Sequence, residues 1–373
     1  MIEAVQHLPK NLQLDNSNKT AMDATKSQTP FFIKLFNWEY WNSNIINAPI
    51  FFYWAYLSVR AKSLFFFNAS NPTIENGGFV MEKKSGIYDQ MPQAYYPKTL
   101  LVNVDLSTSK IRNLIESKSF NFPAIVKPDI GGKGRGVKKV EDIEEAIAYI
   151  KFADFPMLVQ ELVTYKYEAG IFYYRFPWED TGTISGIVSK DFVSVLGDGK
   201  STVEQLLLQN PRYVLQMDAL RKMQEIDLAE IISNGEQKVL VAFGNHARGA
   251  KFVDDSSKIT AKLTYHIDAI CKQVPGFYFG RLDVMYKNWN DLENGENLSI
   301  IELNGAGSEP THIYDPSHSI FFAWKEIAKH LKIMWKISMY NHKVKNIPFI
   351  DFKTGMQMFK DFKRVEARLD ELT

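Results

Sequence analysis

The chain has 373 residues, 45% hydrophobic and 23% charged, enough polypeptide for two or three domains around a large core. Forty-four Lys and Arg against 43 Asp and Glu leave a net charge of +1, so no global basic field draws nucleic acid and there is no acidic tail. The single cysteine, Cys271, excludes a disulfide scaffold and a multi-cysteine metal cluster, and points to a reducing, cytoplasmic compartment.

Residues 1–30 lack the basic and apolar regions of a signal peptide and read as a polar, disordered tail. Residues 31–67 then hold 14 of the chain's 50 aromatic side chains. The longest apolar run, 45–59, contains Asn47, Pro49 and Ser58 and stops at Arg60 and Lys62, short of the roughly 20 residues a membrane span needs. Two readings follow: core packing of an N-terminal subdomain, or an interfacial patch that meets a membrane or a greasy substrate beside Lys34, Arg60 and Lys62.

Ser107 or Ser109 can cap a helix over 107–117, with Ile111, Leu114 and Ile115 on one face. Residues 123–127 read as a short buried strand, and a glycine-rich turn follows at 131–136. Asp142, with Glu145 three residues on, caps a helix whose stripe is Ile143, Ala146, Ile147 and Ile150. A strand is expected at 157–161, and 168–176 and 183–196 are β-rich. A turn at 197–199 leads into a capping box of Ser201 and Glu204, and the helix stops before Pro211. Helical pattern continues over 214–232. Strands are expected at 238–243, 277–286 and 298–304, the last two flanking Asn294 and Gly295, a hairpin signal. A long amphipathic helix over 319–341 turns Ile320, Ala323, Trp324, Ile327, Leu331, Met334 and Trp335 inward. Strands and helices mixed without a strict βαβ rhythm predict an α+β fold.

Two clusters carry chemistry. The first runs from Lys127 through Gly131, Gly132, Lys133, Gly134, Arg135 and Gly136. Four glycines in six residues allow close backbone approach, and exposed N–H groups beside three cations suit phosphate. Val137 stands where a dinucleotide fingerprint needs its third glycine. Gly199, Lys200 and Ser201 imitate the end of a P-loop, but Ser194 occupies the place of its first glycine. The second cluster pairs Arg281 and Asp283 with Glu302 and Asn304. Alternation puts each pair on one strand face, with Leu282, Val284, Ile301 and Leu303 on the buried face. Two carboxylates and a carboxamide brought together call for a hard cation such as Mg²⁺.

In combination, FPAIVKPDIGGKGRGV (122–137), LVQELV with a later Glu (158–168) and GRLDVM with IIELNGAGSEP (280–310) resemble the ATP-grasp superfamily, and within it carboxylate–amine ligases such as D-alanine–D-alanine ligase. The stretch VSVLGDGKSTVEQLL with GNHARGAKFVDDSSKIT is similar to the ATP-grasp part of cyanophycin synthetase. The resemblance covers about residues 80–320. It implies two α+β subdomains clasping ATP: a lid over 98–160 and a large subdomain over 161–373 with a C-terminal helix. The aromatic-rich subdomain expected over 31–97 precedes them and lies largely outside the resemblance. It implies ATP and Mg²⁺ (or Mn²⁺, two ions), with Asp283, Glu302 and Asn304 as metal ligands. Lys84, rather than its neighbour Lys83, and Lys127 would bind phosphates. The loop 131–136 would cover them, Gln160, Glu161, Leu162 and Val163 would meet adenine, and Glu168 the ribose. Arg281 and Arg248 would hold the γ-phosphate and the tetrahedral intermediate. The reaction implied joins a carboxylate to an amine through an acyl phosphate, releasing ADP and phosphate; a phosphotransferase acting on a hydroxyl is the alternative. Residues 31–97 are too short and too aromatic to copy the first-substrate subdomain of D-alanine ligases, so D-alanine itself is not implied.

Substrate candidates are Ser308, Glu309, His312, Tyr314 and Asp315 on the loop after the second cluster, Arg175 beyond Tyr173 and Tyr174 as a carboxylate clamp, and His246 beside Arg248. Lys190 and Lys251 could reach phosphate but read first as surface charges. Amino-acid-like partners, no nucleic acid, a homodimer and a cytoplasmic site, at the membrane periphery if 31–67 is interfacial, complete the expectations.

Overall fold

A computed structural model describes residues 30–132, 134–223, 226–241 and 250–372. Along the chain lie α1 (Pro30–Phe36), α2 (Ser43–Ala61), α3 (Lys84–Tyr88), β1 (Thr99–Val102), α4 (Thr108–Ser117), β2 (Ala124–Pro128), β3 (Lys138–Val140), α5 (Ile143–Ala153), β4 (Met157–Glu161), β5 (Tyr167–Tyr174) and β6 (Thr183–Asp191). There follow β7 (Val193–Leu196), α6 (Val203–Leu208), α7 (Pro211–Val214), α8 (Met217–Leu220), β8 (Gln237–Val241), β9 (Lys251–Asp254), α9 (Ala261–Lys272), β10 (Phe279–Tyr286), α10 (Trp289–Asn294), β11 (Leu298–Asn304), α11 (Ile320–Val344) and α12 (Phe352–Asp370). The fold is α+β. Contacts divide it into two units, 1–41 with 196–236, and 42–195 with 237–373.

The larger unit carries two antiparallel sheets. The first has the order β1-β4-β2-β3. Its inner residues Val102, Val126, Val140, Met157 and Val159 pack on Ile111 and Ile115 of α4 and on Ala146, Ile147 and Ile150 of α5. Ser107 caps α4, and Asp142 accepts the Glu145 N–H at 2.9 Å to start α5, as the sequence predicts. The second sheet has the order β11-β10-β5-β6-β9. One face (Ala169, Ile171, Tyr173, Leu282, Val284) is buried against Leu263, Ile267, Ile270 and Cys271 of α9. The other face is divided. Phe172 and Phe279 pack under α11 and the 66–70 segment, while Glu168, Arg281 and Asp283 leave its remaining part polar.

Asn71 fastens the N-terminal segment to this sheet. It is fully buried; its amide donates to the Gly77 and Phe279 carbonyls and its oxygen accepts the Tyr278 and Phe279 N–H groups. Gly77 and Gly78 then run against the loop after β11, their carbonyls accepting Ala306 and Gly307 N–H at 2.9 and 2.8 Å.

Several local expectations shift. Gly295 is the left-handed C-cap of α10 rather than a hairpin turn (φ +71°). α11 runs to Val344, and its buried side includes Glu326, His330, Ser338 and Asn341. Trp324, Leu331 and Trp335 are only half-buried; the two indole N–H groups donate to the Ile46 and Leu57 carbonyls of α2. The inner face of α2 (Ile46, Ile50, Leu57, Ala61) is core, so part of the aromatic segment packs as the first reading expects. Among the described residues no helix is long and apolar enough to cross a membrane.

In the smaller unit, Arg212 donates to both Glu39 carboxylate oxygens at 2.8 Å. The capping box lies one residue later than expected, at Thr202 and Gln205, because Ser201 bonds the Asp198 carboxylate of the preceding turn. Those bonds and two from backbone N–H groups hold the Asp198 carboxyl down to about 2. The helical pattern expected over 214–232 breaks after α8, where Ile231 forms a bridge with Thr202.

Candidate active site

Glu168, Met285, Ile301 and Glu302 of the five-stranded sheet line a cleft of ≈ 640 Å³ in the larger unit, with β2, the glycine loop and the end of β4. Register groups the polar residues next to Glu168 and Glu302. Asp283 stands opposite Glu302 on one side and Gly170 on the other; Arg281 stands opposite Asn304. A Cβ at Gly170 would lie 3.2 Å from Arg281 and 3.3 Å from Asp283, so the bare glycine leaves room for both. Arg281 donates to both Asp283 oxygens, Nε at 2.7 Å and Nη2 at 3.0 Å. Burial pushes the Asp283 carboxyl up, but Arg281 and Lys190 outweigh it and hold the group ionised.

Two lysines accompany these acids. Lys190, read as a surface charge, is in fact largely buried, bonded to Glu168 and 4.0 Å from Asp283. Burial disfavours its ammonium, yet Asp283 and Glu168 raise its pKa overall. Lys84 donates to the Gly131 carbonyl and lies 3.5 Å from Glu302, so it ties the glycine loop to β11; its neighbour Lys83 is exposed.

Lys127 is placed by a bulge. Between Asp283 and Val284 the β10–β11 register slips by one, leaving Ile301 without a ladder partner. Its carbonyl accepts Lys127 Nζ at 3.0 Å and the Tyr88 hydroxyl at 2.5 Å. The slip also turns Ile301 into the cleft, where alternation had put it on the buried face with Leu303; Ile300 is buried instead. Gln160 Oε1 accepts the same ammonium at 2.8 Å, so this residue positions Lys127 as well as lining the cleft. Burial pushes the Lys127 pKa down to about 8, against the pull of Glu302.

Of the glycine loop, Gly131, Gly134 and Gly136 adopt positive φ and Lys133 lies outside the described residues. Arg135 lines the cleft, but its guanidinium turns to α12, donating to Glu366 at 2.6 Å and Asp370 at 3.1 Å. Glu161, Leu162, Val163 and Glu168 also line the cleft.

The substrate candidates separate. Arg281 Nη1 reaches the Glu309 carbonyl at 3.4 Å, and Tyr314 donates to the Glu309 carboxylate at 2.8 Å, so these two stand beside Arg281. Ser308 is engaged in its own turn, donating to Gly305 O at 2.6 Å. Asp315 accepts the Asp254 and Ser317 N–H groups, and His312 is buried against Gly186, 3.8 Å from Glu326; neither lines the cleft. Arg175 is misplaced as a clamp: it lies seven residues beyond Glu168 along β5, roughly 23 Å away, stacked on Tyr278. His246 and Arg248 lie outside the described residues.

One acid escaped the sequence reading. Glu82 Oε2 is buried without a hydrogen-bond partner, and burial pushes its carboxyl up, with Lys84 and Glu302 among its charged neighbours. Its position two residues before Lys84 was the available signal. Asn304 Nδ2 is likewise buried and unpartnered.

No group of three or more carboxylate, histidine or cysteine side chains converges among the described residues. Two carboxylates and the Asn304 carboxamide on one strand pair fit Mg²⁺ better as an ion shared with phosphate oxygens than as one caged by protein alone.

No family model matches the chain, and no curated protein matches it. Among solved structures it is similar to a bifunctional glutathione synthetase from Pasteurella multocida (14% identity, TM-score 0.39), covering 73% of this chain and 36% of that one. It is similar to a D-alanine–D-alanine ligase from Bacillus anthracis (16%, 0.39; 70% and 69% covered) and to that ligase complexed with ATP (15%, 0.40; 70% and 68%). The VanG D-Ala:D-Ser ligase from Enterococcus faecalis gives 16% and 0.39, with 68% and 61% covered. The chain thus spans about a third of the synthetase, and overlap this loose leaves function to the chain's own residues.

Proposed function

We propose that the chain is an ATP-grasp-type ligase that uses ATP and Mg²⁺ to join a carboxylate to an amine, releasing ADP and phosphate. The observation that carries this reading is Glu302, paired in register with the buried Asp283, lining a cleft together with the glycine loop, Lys84 and Lys127.

The residues divide the work. Lys84, Lys127 and the loop N–H groups neutralise and cradle phosphate oxygens. Gln160, Glu161, Leu162 and Val163 take the adenine edge and Glu168 the ribose. Asp283, Glu302 and Asn304 would hold Mg²⁺, which neutralises phosphate charge when bound. A substrate carboxylate oxygen attacks the γ-phosphorus in line and ADP leaves with the bridging oxygen's electrons. The amine then attacks the acyl carbon, phosphate departs, and the amine proton passes to solvent or phosphate. Arg281 faces the developing oxyanion, and Glu309 with Tyr314 flanks the substrates. No His or Cys lines the cleft among the described residues, which suits a reaction run by positioning and electrostatics.

Hydroxylamine trapping tests this. Purified protein with ATP, Mg²⁺ and a pool of carboxylic acids should form hydroxamate with matching ADP release. A phosphorylated product without hydroxamate would replace the ligase by a phosphotransferase, and no ADP release with any pool of acids, amines and alcohols would refute both.

A further inference from the structure

We propose that the outer face of α2, with the adjoining lysine row of α11, docks on an anionic lipid bilayer. The inference is independent of the ligase reading. α2 is apolar almost all round, yet only its inner face is covered. Its outer face exposes Ile45 at 61%, Phe51 at 58%, Phe52 at 79%, Tyr56 at 53% and Val59 at 77%. Ala48, Pro49 and Ala55 fill the spaces between them and are exposed too. Scattered surface apolar residues are ordinary; a continuous strip along one helix marks an interaction site.

Charge selects the occupant. From residue 42 to residue 74 there is no acid, and the only charges are Arg60 and Lys62 at the C-terminal end of α2. Arg60 lies 4.8 Å from the Trp335 ring and donates to the Tyr56 hydroxyl at 3.2 Å, its apolar stem along the surface. α11 packs beside α2 and exposes Lys325, Lys329, Lys332, Lys336 and Lys343, whose spacings of four, three, four and seven put them on one helical face. The single acid of α11, Glu326, is buried and pairs with Lys329 at 3.1 Å, leaving Lys325, Lys332, Lys336 and Lys343 without an acid on their own helix. An apolar helix face flanked by cations is what binds at the boundary between acyl chains and anionic headgroups. A two-fold contact with a second copy would instead bring each lysine row towards its twin. α2 is also held to α11 along its inner face, so it would lie in the interface plane.

Flotation of the full-length protein with phosphatidylglycerol vesicles, and separately with phosphatidylcholine vesicles, tests this. Binding should be roughly tenfold or more stronger to the anionic vesicles and should weaken in high salt. Phe52→Glu should reduce it about tenfold, and the double change Lys332→Glu with Lys336→Glu should do the same through charge alone; both sets of residues are exposed, so thermal melts should match the parent. Absence of binding to anionic vesicles, or full binding by both variants, overturns the proposal. A Phe52→Glu protein that drops from two copies to one while its vesicle binding is unchanged assigns the face to a second copy and overturns it equally.

Discussion

Arg135 of the glycine loop is held by Glu366 of α12, its Nη2 donating to the carboxylate at 2.6 Å, with Asp370 at 3.1 Å on the other nitrogen. Leu369, between these acids, sits where a side chain on Gly131 would go. The last helix therefore holds a cation of the loop whose sequence suits phosphate. Both acids are partly exposed, so the pairing is worth at most about 1 kcal/mol, a factor of about five. Glu366→Gln with Asp370→Asn should lower KM for ATP by up to that factor, while Arg135→Gln should raise it. Steady-state kinetics at varied ATP reads both; a KM unmoved by either change removes Arg135 from the nucleotide site.

The Lys127 ammonium gives a pH dependence. Its folded pKa is about 8, below the ordinary lysine value, so it is charged below pH 8 and loses its proton above. Phosphate binding needs the charge. The apparent kcat/KM for ATP should be flat below about pH 8 and fall tenfold per unit above it, since that ratio reports the free enzyme. A profile flat to pH 10 would show that Lys127 does not contribute as a cation.

Strand alternation and glycine spacing made much of this site readable. Residues 124–128, 157–161 and the β10–β11 pair lie close to where their patterns put them, and Asp283 and Glu302 meet as expected. The bulge at Ile301 was not readable, because one extra residue in a ladder leaves an apolar run unchanged. Lys190 was misread because its burial depends on Glu168 and Asp283, contributed by two other strands. Arg175 failed for a related reason: whether a charge faces the cleft depends on which end of a sheet it occupies, which no local pattern encodes.

Gly78 tests how the N-terminal segment supports the site. Its φ is +72°, and a Cβ there would come within 2.7 Å of the Gly305 Cα, backbone that cannot swing aside. Gly78→Ala should destabilise the protein by more than about 1 kcal/mol and displace the 305–307 loop next to Asn304. A lowered Tm with at least a tenfold loss of ADP release is expected. A parent-like Tm and rate would mean the two segments are not mechanically coupled.

Asp283 and Glu302 should fail in different ways although they face each other. Asp283 is 4% exposed and neutralises the largely covered Arg281 through two hydrogen bonds. Asp283→Asn leaves that guanidinium without its counter-charge, a change that costs about 3–5 kcal/mol when a buried pair is broken. Its loss of activity will therefore come with a fall in Tm. Glu302 is more open, its side chain 24% exposed and its nearest cation the Lys84 ammonium at 3.5 Å. Glu302→Gln should keep the parent Tm yet lose Mg²⁺-dependent ADP release by about 100-fold or more, the order seen when one preorganised electrostatic partner is removed. Titrating Mg²⁺ against ADP release in the Glu302→Gln protein checks the assignment. A rightward shift in Mg²⁺ demand together with the lower rate supports it, and parent-like Mg²⁺ dependence and rate would remove Glu302 from the metal site.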